Sequence, residues 1–299
     1  MGKRRAAVVP MNGPTLVILA AGRARRFGGI KPLAPIGPAG EAVIDLLAGD
    51  AVAAGFDRII LVVNPDTGPV IREHVAESWP RTVDVRFAVQ ERPLGTVHAV
   101  LAAREEADDA PFGVANADDL YGRPALTTLA EHLAGDAMNC LVAFRLDRAL
   151  VGDDPVTRGV CDVADGRLVD IAERRQVTVS NGVFTCDDGL VPRQLDPASL
   201  VSMNLWGFAA PMWSIFADAM TAATDASEDA EVLLPEVVGR IVDGSLAVES
   251  PRMAEFHVLA TESRCVGVTH PGDLEVVQRD IRSQIERGER SAAPFGDRS

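Results

Sequence analysis

Three short segments carry residues suited to phosphate, nucleobase and metal chemistry. The first is LAAGRARRFGGIKPL, residues 19–33, directly after the apolar run TLVIL. Glycine just past a strand, here Gly22, lets backbone N–H groups face a cleft that a side chain would block. Arg26 adds a planar fork of donors and Lys31 a point charge, the two ways a side chain grips phosphate. Ala20 and Ala21 lead into this loop on its nucleotide side. The spacing is neither a Walker loop nor G-x-G-x-x-G, since Gly29 follows Gly28 and Ala24 stands at the second glycine. A solvated turn with incidental arginines is the competing reading.

The second segment is QERPLGTVHAV, residues 90–100. Gln90 can meet a base edge with a donor and an acceptor together, and Gly95 and Thr96 open a helix beside it. The pattern is also that of an ordinary strand-turn-helix. The third is ANADDLYG, residues 115–122. Two adjacent carboxylates at a strand end suit Mg²⁺, a hard cation that prefers oxygen ligands. Neighbouring side chains on a strand diverge, so Asp118 is the expected ligand and Asp119 either assists or hydrogen-bonds nearby.

The background makes a cationic loop informative. The 299 residues carry 29 Lys and Arg against 43 Asp and Glu, a net charge of -14. Such a surface repels nucleic-acid polymers and anionic membranes. Four scattered cysteines form no C-x-x-C pair and predict neither a zinc site nor a disulfide framework. No run approaches the roughly 18 apolar residues of a membrane span, and the basic start lacks a signal-like apolar stretch, so a cytoplasmic protein is expected.

The elements that must position these residues alternate strand and helix. Continuous apolar runs at 15–20 and 58–63 predict strands buried on both faces. Further strands are expected at 83–90, 112–117 and 139–146, with helices at 41–54, 69–77, 95–106 and 124–133 between them. This predicts an α/β fold, a Rossmann-like mixed and mainly parallel sheet flanked by helices. After Arg148 the pattern becomes β-rich, with a hairpin turning at Asp165-Gly166. Strand-like segments follow at 180–189 and 201–209, then helices near Trp213 and Val232. Short strands are expected at 246–249, 255–260 and 265–269, and a helix at 271–287. One unit spanning 14–288 is expected, with halves at 14–148 and 149–288, a flexible start at 1–13 and a flexible tail at 289–299. Ligands in such sheets bind beyond the carboxyl ends of the strands, where the three segments fall.

The same segments, with RGVCDVADGRLVDIAER and VSMNLWGF, occur in an order that resembles the sugar-1-phosphate nucleotidylyltransferase family. The likeness runs from about Thr15 to Gln284. It implies a Mg²⁺-dependent transfer of a nucleotide from a nucleoside triphosphate, UTP or dTTP first, to a sugar 1-phosphate, with pyrophosphate released. By the resemblance Gly22 belongs to the triphosphate loop, Arg26 and Lys31 hold phosphates, Gln90 and Gly95 read the base, and Asp118 binds the metal. Gly159, Glu173, Ser202 and Asn204 would border the sugar, and Arg174 would touch its phosphate. Ala24 departs from the family's loop. No acid appears where many members carry a second metal aspartate, and Asp273 lies too far along to match it. A glycosyltransferase, or a non-catalytic nucleotide or sugar-phosphate binding protein, is the alternative. Self-association among relatives leaves a homo-oligomer open.

Overall fold

The computed structural model describes residues 13–22, 29–136, 138–150, 154–268 and 272–296. Strands β1 (Thr15–Leu19) and β2 (Arg58–Val63) are the two apolar runs, and helix α1 (Val43–Ala53) crosses between them. Leu16, Val17, Ile18 and Ile59 through Val63 are fully buried, as expected of strands covered on both faces. Helix α2 (Gly68–Ser78), β3 (Asp84–Val89) and α3 (Gly95–Ala102) continue the alternation into β4 (Phe112–Asn116). A two-residue strand β5 (Asp119–Leu120), helix α4 (Arg123–Gly135) and β6 (Cys140–Arg145) complete the first half.

The second half holds β7 (Val156–Ala164), β8 (Arg167–Ser180), β9 (Val183–Thr185), β10 (Gln194–Leu195) and β11 (Leu200–Phe208). Helices α5 (Met212–Ala226) and α6 (Leu234–Val242) follow, then β12 (His257–Thr261), β13 (Val266–Gly267) and α7 (Asp273–Glu286).

One sheet joins both halves in the order β10-β9-β8-β12-β6-β11-β4-β1-β2-β3, with β7 pairing β11 and β8. Strands β4, β1, β2 and β3 run parallel. Strand β11 enters antiparallel between β4 and β6, and the β7–β8 hairpin is antiparallel as well. The sheet is therefore mixed, as the change of pattern after Arg148 predicts.

The structure differs from the sequence reading at three places. Residues 246–249 form no strand, because the Leu246 N–H is taken by the Arg240 carbonyl at 2.6 Å and the segment stays on the end of α6. Helix α3 stops at Ala102, short of Glu106. The third is residues 289–296, which are docked instead of trailing as a tail. Arg290 ion-pairs with Asp50 at 2.7 Å, and the Phe295 ring lies 5.4 Å from that of Trp79. The chain passes so close that a Cβ on Gly49 would collide with the Pro294 carbonyl.

Candidate functional site

Parallel pairing sets Leu19 beside Asn116, so the loop after β1 and the carboxylates after β4 leave the sheet side by side. Lys31 and Asp118 meet there, Nζ to Oδ2, at 3.5 Å. Both line a cleft of about 460 Å³. A small recess of about 110 Å³ next to it is bounded by Ala20, Gly22, Lys31 and Asp118. A side chain at Gly22 would point into open space. Arg26 lies outside the described residues.

The double aspartate is held by contacts that sequence reasoning missed. The Asn116 side chain donates to Asp119 Oδ2 at 3.0 Å. The Tyr121 hydroxyl accepts the Asn116 N–H at 2.9 Å and donates to the Met203 carbonyl at 3.0 Å. This buried phenol ties the end of β4 to β11, one strand away. Strand β13 pairs with β5, and the Val268 N–H reaches the Asp118 carbonyl. Gly267 is there by necessity, since a Cβ would fall on Asp119 Oδ1. Burial first, and then the charge of Asp118, push the Asp119 carboxyl well above the usual carboxylate range.

Two carboxylates crowded together, with a lysine ammonium as the nearby cation, fit a hard divalent ion that keeps waters and phosphate oxygens as its other ligands. Among the described residues no three His, Cys, Asp or Glu side chains converge on one metal position. Asp273, in the first turn of α7, nevertheless lines the same cleft from 7% exposure. Distance along the chain hid its place on this wall.

The opposite wall comes from the antiparallel half. Register places Gly159 opposite Glu173 on one side and Ser202 on the other, so the three form a row across β8, β7 and β11. All three line the cleft together with Asn204. The pairing of β11 with β6 slips between Ser202 and Trp206, and Asn204 sits in the slip at φ +58°. Such bulges re-aim side chains at the rim of a sheet. Asn204 Oδ1 accepts the Trp206 indole N–H at 3.1 Å, and Trp206 itself is fully buried.

Arg174 is a correction. Side chains alternate along a strand, so Glu173 and Arg175 share one face of β8 and Arg174 takes the other. There it is 4% exposed, bonded to Asp188 at 2.7 Å and to the Cys186 sulfur and the Pro192 carbonyl. It is absent from the cleft wall, whereas Arg158 and Arg175 are present. Arg175 is exposed and pairs with Glu173 at 2.8 Å. Arg158 donates to the Ala149 and Thr157 carbonyls and, among the described residues, has no carboxylate within ion-pair distance. Burial lowers its pKa, against the attraction of Asp119. The lone arginine before Gly159 gave no signal in the sequence.

The base-side segment is more self-contained than expected. Gln90 is 7% exposed, and its amide N–H groups go to the Gly95 carbonyl and to His98 Nδ1, at 3.0 and 3.2 Å. Only its oxygen remains for a ligand, toward a recess of about 130 Å³ shared with Ala21 and Asn64. Asn64 fastens that region, donating to the Ala21 carbonyl and accepting the Asp66 and Thr67 N–H groups. Gly95, at φ +91°, owes its smallness to Val232, whose backbone a Cβ would strike. The Thr96 hydroxyl accepts the Leu234 N–H at 2.8 Å. Both residues hold the 232–234 segment against α3.

Known proteins resemble the chain in sequence or in fold. The bifunctional protein GlmU of Staphylococcus saprophyticus is 25% identical over 193 residues, 60% of this chain and 40% of that protein. GlmU of Azorhizobium caulinodans is 34% identical over 169 residues, 54% and 35% of the two chains. The alignments thus span about two-fifths or less of these relatives' own length. Two solved structures share the fold, each with TM-score 0.63. The inositol-1-phosphate CTP transferase from T. maritima is 16% identical, with 92% of this chain and 96% of that one covered. A putative glucose-1-phosphate thymidylyltransferase from Bacillus anthracis is 12% identical, with 90% and 95% covered. The MobA-like NTP transferase domain matches residues 16–199, more than half of the sequence, and the chain belongs to that family.

Proposed function

We propose that the chain transfers a nucleotidyl group from a nucleoside triphosphate to a sugar 1-phosphate and releases pyrophosphate. One observation carries the reading: Lys31, Asp118 and Asp119 share a single cleft with Glu173, Ser202 and Asn204 from the antiparallel half. Phosphate-handling groups stand at one end, and neutral or anionic hydrogen-bonding groups suited to sugar hydroxyls at the other.

An acceptor phosphate oxygen attacks the α-phosphorus in line. The bond from that phosphorus to the bridging oxygen breaks, and its electron pair leaves with pyrophosphate. The attacking phosphate monoester is already an anion at neutral pH, so no general base is needed. The work left to the protein is alignment of two mutually repelling anions. Lys31 and the loop N–H groups beside Gly22 hold the triphosphate, joined by Arg26. Arg158 replaces Arg174 as the cation for the acceptor phosphate, since it lines the cleft and, among the described residues, has no carboxylate within ion-pair distance. Asp118, with Asp119 beside it, would hold Mg²⁺, which supplies charge neutralisation on the phosphate oxygens. Gln90 offers its oxygen to a base N–H, and UTP or dTTP leads as donor.

The test is pyrophosphate release with Mg²⁺ over a matrix of nucleoside triphosphates and sugar 1-phosphates. A signal that needs one pair, and that Asp118→Ala abolishes, supports the proposal. Silence across the matrix, with nucleotide still bound, overturns it in favour of a binding protein.

A further inference from the structure

A second cavity of about 770 Å³ is walled by the segment leaving β5, the segment entering β13, and the end of α7 with the docked chain beyond it. Five arginines line it against three carboxylates, in a chain whose net charge is -14. Three of these arginines are satisfied. Arg264 pairs with Asp280 at 2.9 Å, Arg287 with Glu289 at 2.7 Å, and Arg290 with the buried Asp50 at 2.7 Å.

The remaining two have no carboxylate within ion-pair distance among the described residues. Arg148 is exposed at the rim. Arg123 is half-buried, and its Nε is shut off from solvent without any hydrogen-bond partner. That N–H faces the protein interior, so the terminal nitrogens of the guanidinium are the ones left to meet an anion in the cavity. Asp50 does not answer this charge. Burial raises the Asp50 pKa, while Arg290 and Arg123 both act to lower it, so two cations share one carboxylate. The third lining carboxylate, Glu262, lies in the field of Arg145.

We propose that this cavity is a second anion site, taking a small molecule with a phosphate monoester group bound by Arg123 and Arg148. A phosphate dianion matches the charge of two guanidiniums, whose planar forks suit its oxygens. The volume leaves room for a sugar or nucleoside body behind the phosphate. The site does not depend on the proposed transfer reaction. It does touch the machinery of the first cleft: Gly122 and Arg123 come just after Asp119, Leu120 and Tyr121, and Gly122 packs against Ser263 shortly before β13. An occupant therefore bears on both strands that hold Asp118 and Asp119.

The experiment is calorimetric titration of the whole chain with inorganic phosphate, repeated on Arg148→Gln, Arg123→Gln and Lys31→Gln. Two classes of binding are expected in the unaltered protein. Arg148→Gln should weaken one class about tenfold, the scale of one charge-assisted contact, and leave the other in place. Lys31→Gln should do the reverse. Arg148 is exposed, so its variant remains informative if Arg123→Gln fails to fold. A single class lost in Lys31→Gln, or an isotherm that Arg148→Gln leaves unchanged, overturns the proposal.

Discussion

Arg158 and Arg174 stand opposite each other in the β7–β8 pair, yet the two regions around them treat a cation in opposite ways. Around Arg174 the loop 186–192 folds over the side chain: carboxylate, sulfur and two carbonyls meet the guanidinium, and 4% of Arg174 stays exposed. Around Arg158 the backbone satisfies some N–H groups, and the nearest acid influence, Asp119, acts without contact. A cation that must bind a mobile anion cannot already own a tight one. The Arg174 region is built for stability, and the Arg158 region keeps its charge available.

Substituting each arginine breaks the comparison if it is wrong. Arg158→Ala should lower kcat/KM by about 10²–10³-fold, the scale of losing one fixed donor to a developing anion, with Tm little changed. Arg174→Met should give the converse, near-normal kcat/KM with a clearly lower Tm, because Asp188 is left buried without its partner. Steady-state kinetics and thermal melts on both variants decide it. Equal kinetic losses in the two would erase the distinction.

The Arg174 region also predicts an acid sensitivity. Arg174, with the Leu190 and Arg175 N–H groups, holds the Asp188 carboxyl well below the usual range. A carboxylate with a depressed folded-state pKa stabilises fully above its unfolded value and loses that contribution as pH falls toward the folded value. The unfolded value is about 3.9. Melting temperature should therefore fall on acidification below about pH 4, and Arg174→Met should flatten that fall. An unaltered slope in the variant would show that Asp188 is not the group responsible.

The sequence foretold the parallel half better than the antiparallel half, and the reason is geometric. TLVIL and RIILVV declare themselves through burial on both faces, and the cleft at their ends follows from sheet topology. Which face a β8 residue takes depends on register, and a shift of one position separates Arg174 from Glu173 and Arg175. Neighbours in sequence therefore do not say which arginine reaches the cleft wall. Asp273 was hidden for another reason, since its place on the cleft wall depends on how α7 folds back. Tyr121 was silent too, because nothing in NADDLYG says that its hydroxyl reaches Met203.

That phenol gives the next contrast. Tyr121→Phe removes the group linking the Asn116 N–H and the Met203 carbonyl while keeping the ring against Phe144. The two buried backbone groups lose their partner, which should cost about 1–3 kcal/mol in denaturant unfolding. It joins the parallel half to the bulge in β11, so a kinetic loss should accompany the destabilisation. A variant as stable as the parent would mean that the Asn116 and Met203 groups find other partners.

The smallest expected effect concerns Gln90, the residue with least freedom to act as first read. Both its amide N–H groups are engaged within the protein. Burial lowers the His98 pKa, which keeps the ring neutral near pH 7 and its Nδ1 able to accept. The side-chain oxygen is then the group left for a base, and one neutral hydrogen bond is worth about 0.5–1.5 kcal/mol. Gln90→Met should raise KM for the nucleotide by roughly two- to tenfold with kcat unchanged, because such a contact holds ground state and transition state alike. The acceptor's KM should not move. If kcat falls instead, Gln90 acts through the Gly95–His98 turn and the packing of α3 rather than through the base.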